Sequence, residues 1–181
     1  YNNKAVFTID DAFKNINGSI AYLKTIIKYE PQNIPAIKLL GLFYSLDQIY
    51  SLAIKTYESG LSIFPNNQEY LIKLAEFSYY NNEFERSLAF LKQASYREDA
   101  KIYLLNARNY EKIGDSNNAF KNYQSAIGLS PNNPDINKYF GLFLLNQKRQ
   151  NEAKVLLKKY IDLFPGSCDF IIIQDLVKKL P

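Results

Sequence analysis

The chain has 181 residues, 47% of them hydrophobic and 15% aromatic, and its 22 basic and 18 acidic side chains give a net charge of +4. These values describe a folded chain and exclude a disordered tail, while the longest apolar runs, such as residues 170–173, are too short for a transmembrane helix. The weak, mixed charge does not indicate a nucleic-acid binder. Because Cys168 is the only cysteine and histidine is absent, we expect no disulfide within the chain, no metal and no cofactor.

The first predicted element is a helix over residues 9–29. An apolar stripe at helical spacing covers this segment: Ile9, Ala12, Phe13, Ile16, Ile20, Leu23 and Ile27. The segment forms either one long helix or a pair that breaks at Asn17 and Gly18. We interpret residues 1–33 as a partial, irregular copy of the unit that follows, and we expect part of its partner helix to lie upstream of Tyr1.

Four prolines indicate a structural repeat. Pro65 and Pro131 are 66 residues apart, and Pro31 and Pro165 each lie 34 residues outside that pair. Proline has no amide hydrogen and restrains the residue before it, so it ends a helix. The Asn-Asn pair after Pro65 and after Pro131 supplies side chains that can cap the next helix. The spacing therefore predicts a unit of 34 residues.

The unit at 34–67 predicts two antiparallel helices. The first helix carries an apolar face, and the second carries a stripe of the same period after a polar break at Asp47 and Gln48. The two faces consist of Ile37, Leu40, Gly41 and Tyr44, and of Ala53, Tyr57 and Gly60. Small residues at Gly41 and Ala53 would let the helices approach closely, while the bulky positions fill the space alongside.

Three further units follow in the same register, at 68–99, 100–133 and 134–167. The unit at 68–99 is two residues short and has Asp99 where proline would stand. The residues in phase are Leu71, Leu74, Ala75, Ser87, Leu91 and Ala94, then Tyr103, Ala107, Tyr110, Ala119, Tyr123 and Ala126, then Phe140, Gly141, Leu144, Ala153, Leu157 and Tyr160. Each unit exposes an apolar face when alone, so stacked neighbours stabilise one another.

The last predicted element is a capping helix within residues 168–181. Ser167 is the expected N-cap, and Lys178 and Lys179 lie near the C-terminal end, where they favour the helix dipole. Its apolar side chains, which would cover the last helix pair, are Phe170, Ile171, Ile173, Leu176, Val177 and Leu180.

The repeated pattern resembles the tetratricopeptide repeat. The likeness covers residues 34–167. All four units have Gly or Ala at position 8, three have a large apolar or aromatic residue at position 4, Ala at 20 and Pro at 32, and two have an aromatic residue at 24. No unit has the typical tryptophan at position 4, and Asn106 and Ser78 also depart from the pattern. The resemblance implies an all-α fold, a right-handed α-solenoid of helix pairs with a C-terminal capping helix, within a single domain over residues 1–181.

The resemblance also implies a concave groove, lined by the first helix of each pair, that holds a protein or peptide partner. The expected groove residues are Lys38, Leu42, Ile72, Lys73, Glu76, Tyr79, Lys101, Leu104, Arg108, Lys138 and Leu142. Family members that grip chaperone tails use a carboxylate clamp of Lys, Asn and Arg donors. In this chain Leu42 and Leu105 occupy two of the clamp positions, and the Asn and Arg donors are missing. Binding of chaperone tails is therefore disfavoured. An acidic peptide could still contact a set of four cations: Lys38, Lys73, Lys101 and Arg108.

Catalytic motifs are absent from the sequence: it has no phosphate-binding GxxxxGK[ST] loop, no GxSxG nucleophile turn and no histidine. We therefore predict a protein-interaction adaptor that is not an enzyme, as one module of a larger or membrane-anchored protein. The alternatives are a scaffold that forms homo-oligomers through its end helices and, third, a binder of single-stranded RNA, although we expect no nucleic-acid partner.

The compartment stays open in the sequence. A first residue other than methionine suggests a fragment or a processed product. The chain is then cytoplasmic, or periplasmic or membrane-anchored if a signal segment was removed, and we expect no direct membrane insertion of this segment.

Overall fold

The computed structural model describes residues 9–94 and 99–181, and the side chains of the first helix from residue 15 onward. All regular secondary structure in these ranges is helical. The helices are α1 (Ile9–Tyr29), α2 (Ile34–Leu46), α3 (Tyr50–Ile63), α4 (Gln68–Tyr80), α5 (Phe84–Gln93), α6 (Ala100–Lys112), α7 (Ser116–Leu129), α8 (Pro134–Asn146), α9 (Gln150–Leu163) and α10 (Phe170–Lys178). Among the described helices, none is both long and apolar enough to cross a bilayer.

The chain divides into two compact units, Tyr1–Ala94 and Ser95–Pro181. In the first unit α2 packs against α1 and α3, and α4 packs against α3 and α5. In the second unit α6 pairs with α7, α8 pairs with α9, and α10 packs on α9. The predicted fold class, an all-α solenoid of helix pairs with a C-terminal capping helix, is confirmed. The repeat boundaries and the single domain stay a prediction.

The helix ends follow the predicted punctuation. The Asn67 side-chain oxygen accepts a hydrogen bond from the Tyr70 amide at 3.1 Å, and that of Asn133 accepts one from the Ile136 amide at 3.2 Å. These bonds satisfy amide groups in the first turn that have no partner within the helix. The second asparagine of each Pro-Asn-Asn motif is thus the N-cap of the next helix, as the sequence predicts.

In the pairs α2–α3 and α8–α9, the close approach of the two helices depends on glycine at position 8. A Cβ atom built on Gly41 would lie 2.2 Å from Cε2 of Tyr57, and one built on Gly141 would lie 2.7 Å from Cγ of Leu157. Ala53, at position 20, is fully buried in the same pair. The predicted stripes are therefore the buried faces, but the ring of Tyr57, more than Ala53, sets the limit on the size of residue 41.

A left-handed residue recurs in the turn inside each pair. Gln48, Asn82 and Lys148 have φ angles of 59°, 61° and 61°, and Gly114 has a φ of 83°. All four stand at position 15 of their units. Glycine adopts this conformation freely, whereas other L-residues are strained there, asparagine least. The sequence analysis did not identify this position because only one of the four residues is glycine.

At the N-terminal end, α1 is a single helix that continues through Asn17 and Gly18 without a break. The prediction of one long helix is confirmed, and the alternative of a broken pair is wrong. The side chains of Ile9, Ala12 and Phe13 in the predicted stripe lie outside the described residues.

At the C-terminal end, the prediction that Ser167 caps the last helix is wrong. The helix α10 begins at Phe170, its N-cap is Asp169, and no side chain makes a capping bond. The Asp169 carboxylate instead accepts a hydrogen bond from the Tyr160 hydroxyl and pairs with Lys138. Contacts with the preceding helix pair have thus replaced the local cap.

Candidate functional site

In the first unit, the surface formed by α2 and α4 combines an internal ion pair with an exposed leucine. The Lys38 ammonium lies 2.7 and 2.9 Å from the two carboxylate oxygens of Glu69, and Leu42 is 49% exposed. Burial, and secondarily the negative charge of Glu69, raises the pKa of the underlying Tyr57 to about 12. The phenol is therefore neutral, and the Lys38 charge is balanced within the chain.

The remaining predicted residues of this surface lie on α4. The Lys73 ammonium lies 2.7 Å from the Glu76 carboxylate one turn away, and Ile72 is half-buried. Tyr79 is only 7% exposed, with its ring against those of Tyr80 and Phe84. Tyr79 therefore offers little surface to a partner, whereas Ile72 has surface available.

In the second unit, the corresponding helices are α6 and α8. The Arg108 guanidinium lies 4.0 Å from the centre of the Tyr139 ring, a cation–π contact between the two helices. Leu104 is half-buried against the core, and Lys101 is exposed. Among the described residues, Lys101 forms no ion pair.

Lys138 belongs to a polar cluster at the start of α10. It pairs with Asp169, which also accepts a 2.6 Å hydrogen bond from the Tyr160 hydroxyl. The hydrogen bond from Lys138, then that from Tyr160, lowers the pKa of Asp169 to about 2. Burial alone would lower the pKa of Lys138, but the hydrogen bond and charge of Asp169 outweigh it and raise that pKa. Leu142 packs against the buried side chains of Leu157, Tyr160 and Ile173.

Each unit thus brings together its share of the predicted groove residues on the first helices of its pairs. Of the four cations expected to face an acidic peptide, Lys38 and Lys73 are paired with carboxylates and Arg108 lies on an aromatic ring. The surface of the first unit can therefore form apolar contacts through Leu42 and Ile72 without an uncompensated charge beside them. Lys101 keeps a charge available to a partner.

Two exposed residues on α2 were not identified in the sequence analysis. Leu39 is 43% exposed and Leu46 is 68% exposed. They lie seven residues apart, so they share one helix face, and this face is distinct from the buried stripe through Ile37 and Leu40. The sequence contained a signal for Leu39 and Leu46, because they form a second apolar stripe on a helix whose buried face was already assigned.

Comparison with known proteins agrees with this architecture. Residues 102–167 match a family model described as "YpiA-like, C-terminal tetratricopeptide repeats". Residues 102–167 thus match tetratricopeptide repeats, which confirms the resemblance predicted from the sequence. The repeat protein matches no curated protein sequence.

Solved structures show the same fold at low sequence identity. The structure of PilW, a "widely conserved type IV pilus biogenesis factor", is 18% identical with a TM-score of 0.79, covering 93% of this chain and 79% of PilW. YrrB, "a TPR protein with an unusual peptide-binding site", is 15% identical with a TM-score of 0.69 over 91% of this chain and 86% of YrrB. TTC0263, a thermophilic repeat protein from Thermus thermophilus, is 17% identical with a TM-score of 0.72 over 92% of both chains. At these identities the likeness concerns the fold alone.

Proposed function

We propose that this tetratricopeptide-repeat protein is an interaction module, not an enzyme, and that it binds a partner protein or peptide through the first helices of its pairs. In the first unit these are α2 and α4, and in the second α6 and α8. The observation that carries the proposal is the exposure of Leu42, at 49%, beside the Lys38–Glu69 pair. The peptide-binding site named for YrrB, a protein of the same fold, supports it.

The energetics favour apolar contacts over charge recognition at this surface. An exposed ion pair such as Lys38–Glu69 contributes little to stability, and a partner carboxylate would have to compete with Glu69 for the lysine. Burying an exposed aliphatic side chain, in contrast, releases water without such competition. We therefore propose that Leu42 and Ile72 contribute most of the binding free energy in the first unit. Leu104, Lys101 and Leu142 are the matching candidates in the second.

A peptide-display library selected on the intact protein tests this function. Selected peptides should bind the Leu42→Ala variant at least fivefold more weakly than the parent, as measured by fluorescence anisotropy. The Leu129→Ala variant is the control, since Leu129 is 47% exposed but lies on α7 and outside the proposed surfaces. Peptides that bind Leu42→Ala and parent equally would contradict a site on α2.

A second candidate function, self-assembly through the end helices, has one observation in its favour. Ile171 and Ile172 on α10 are each 70% exposed. Sedimentation across a hundredfold range of protein concentration tests it: a dimer that Ile172→Glu dissociates would support it, and a monomer throughout would contradict it. The larger or membrane-anchored parent protein stays a prediction.

A further inference from the structure

A recess of about 270 Å³ lies between α1 and α3, with part of α2 at its base. By the 34-residue spacing, α1 and α3 are the second helices of successive pairs. Leu40 is buried, whereas Lys24 and Lys55 are exposed, so aliphatic side chains form the floor and two cations form the rim. We call this surface the basic recess, and its lining includes Lys24, Ile27, Leu40, Leu52, Lys55 and Thr56.

The charge around the basic recess is positive and uncompensated. The described side chains of α1, α2 and α3 include a single carboxylate, that of Glu58, and it is paired with Arg86 of α5. Neither Lys24 nor Lys55 forms an ion pair with any side chain that the structure describes. The Lys24 ammonium lies 5.7 Å from the centre of the Tyr44 ring, which attracts the cation without neutralising it. An anionic partner would therefore meet two cations without displacing a carboxylate.

Other pairs show how the same place is closed. Glu58 stands at the position of Lys24 and forms the ion pair described above, while Phe90 stands at the position of Thr56 and packs against the core. In the second unit, Leu156 of α9 takes the position of Thr56 and also packs against the core. The basic recess is therefore open because residue 56 is small and residue 24 carries the opposite charge to glutamate.

The start of the chain does not supply the missing negative charge. Residues 1–8 contain one lysine and no acidic residue. In the pair α2–α3 the two helices meet on the face of Ala53, which lies about 140° around α3 from Glu58, the counterpart of Lys24. A first helix that packed on α1 in the same way would therefore leave the basic recess open.

The size and hydrogen-bonding groups of the recess favour a peptide segment. Pockets for whole small-molecule ligands measure roughly 300–1,000 Å³, and this recess, at about 270 Å³, is smaller. The Thr56 and Ser59 hydroxyls donate to backbone carbonyl groups of α3 at 2.8 and 2.7 Å, so their oxygens are acceptors towards a ligand. A peptide backbone brings N–H donors for them. Tyr44, the aromatic residue of the lining, is only 6% exposed, so it offers no ring on which a nucleic-acid base could stack.

We propose that the basic recess binds an acidic segment of a partner protein, in which an aliphatic side chain is flanked by aspartate or glutamate. The aliphatic side chain fills the space above Ile27 and Leu40, and the flanking carboxylates pair with Lys24 and Lys55. Because both lysines are exposed, each ion pair contributes little, and burial of the aliphatic side chain supplies the larger part of the affinity. This surface lies on second helices and is distinct from the one proposed for α2 and α4.

The probe for this proposal is the fluorescein-labelled peptide GSDELDEGS, added to the intact protein and followed by fluorescence anisotropy. We expect saturable binding in 50 mM sodium chloride that weakens at least about fivefold in 0.5 M, because salt screens exposed charges. Two matched peptides separate the contributions: GSDESDEGS lacks the aliphatic side chain, and GSNQLNQGS lacks the charges. Each should bind at least about fivefold more weakly than the probe.

The protein variant Thr56→Leu fills the recess and changes no charge. Leu156 already stands at the corresponding position of the second unit, so the variant should fold. It should bind the probe at least about tenfold more weakly, which is the effect of excluding one buried aliphatic side chain. Lys55→Glu should weaken binding at least about fivefold, whereas Lys55→Arg and the exposed control Lys112→Glu should each change it less than about twofold. Circular dichroism of each variant verifies the fold.

Absent binding of the probe, or equal binding by Thr56→Leu and the parent, would overturn the proposal. A parent dimer that Thr56→Leu dissociates in sedimentation would overturn it as well, because a second copy of the chain would then occupy the recess. Polyuridylate that binds the parent but not Thr56→Leu would assign the recess to nucleic acid instead. The outcome is separable from that of the proposed function, because Leu42→Ala should leave binding of this probe unchanged.

Discussion

Removing the negative charge that joins α10 to the last helix pair should lower stability in a pH-dependent way. Asp169 and Lys138 are only 21% and 22% exposed, so water screens their interaction weakly. The pKa of Asp169 is about 2 in the folded chain, whereas the ordinary value, which applies to the unfolded chain, is 3.8. This difference is worth about 2 kcal/mol of folding free energy at pH 7. The variant Asp169→Asn should lose about this amount.

The sign of the pH dependence follows from the lowered pKa. The contribution of Asp169 is complete well above pH 3.8 and declines as the pH falls from 3.8 towards 2, because the unfolded chain binds the proton first. Urea denaturation followed by circular dichroism at pH 7 and pH 3 should show the gap between parent and Asp169→Asn shrinking by about 1 kcal/mol. Asp162→Asn, at an exposed position on α9, is the control. A gap that is absent at pH 7, or that widens in acid, would refute the assigned role of the Lys138–Asp169 pair.

Three further pairs of substitutions test the helix-pair architecture. Gly41→Ala should lower the free energy of unfolding by about 1–3 kcal/mol, because the added Cβ atom would clash with Tyr57. Gly18→Ala should raise the free energy of unfolding by up to about 1 kcal/mol, because no atom lies within 4 Å of the added Cβ atom. Equal effects of the two substitutions in urea denaturation would contradict the assigned packing of Gly41. Asn133→Ala should cost about 1 kcal/mol by loss of the N-cap bond, and no difference from the exposed Asn132→Ala in the same assay would dismiss that role. Lys148→Gly should raise the free energy of unfolding by about 1 kcal/mol, because glycine adopts the left-handed conformation of this residue without strain. Gly114→Ala should lower the free energy of unfolding by a similar amount, for the opposite reason. A thermal melt in which Lys148→Gly is less stable than the parent would count against strain at this turn.

The helix pairs could be predicted because their signals are local and repeated. The period of Pro31, Pro65, Pro131 and Pro165 fixes the register, and the small and large residues recur in phase within it. Position 15 escaped prediction because Gln48, Asn82 and Lys148 adopt there the conformation that glycine usually signals. In those turns, packing of the two helices outweighs the backbone preference of the residue.

The surface chemistry could be predicted only in part. The sequence placed Lys38, Lys73 and Arg108 on the first helices, but their charge partners depend on side-chain positions that a periodic pattern does not specify. Asp169 illustrates the same limit: the sequence pattern gave it no role, and in the structure it joins Lys138 and Tyr160 across helices. Periodicity identifies which face is buried, whereas ion pairs across helices are known only from coordinates.

The neighbour-to-neighbour packing within each unit has a kinetic consequence. Since helices such as α6 and α7, or α8 and α9, contact partners adjacent in the chain, forming the native contacts closes only short loops at small entropic cost. Proteins with such low contact order fold quickly, and nucleation at one pair can spread to the next. We expect millisecond or faster refolding in stopped-flow experiments and amide exchange that is fastest at the chain ends.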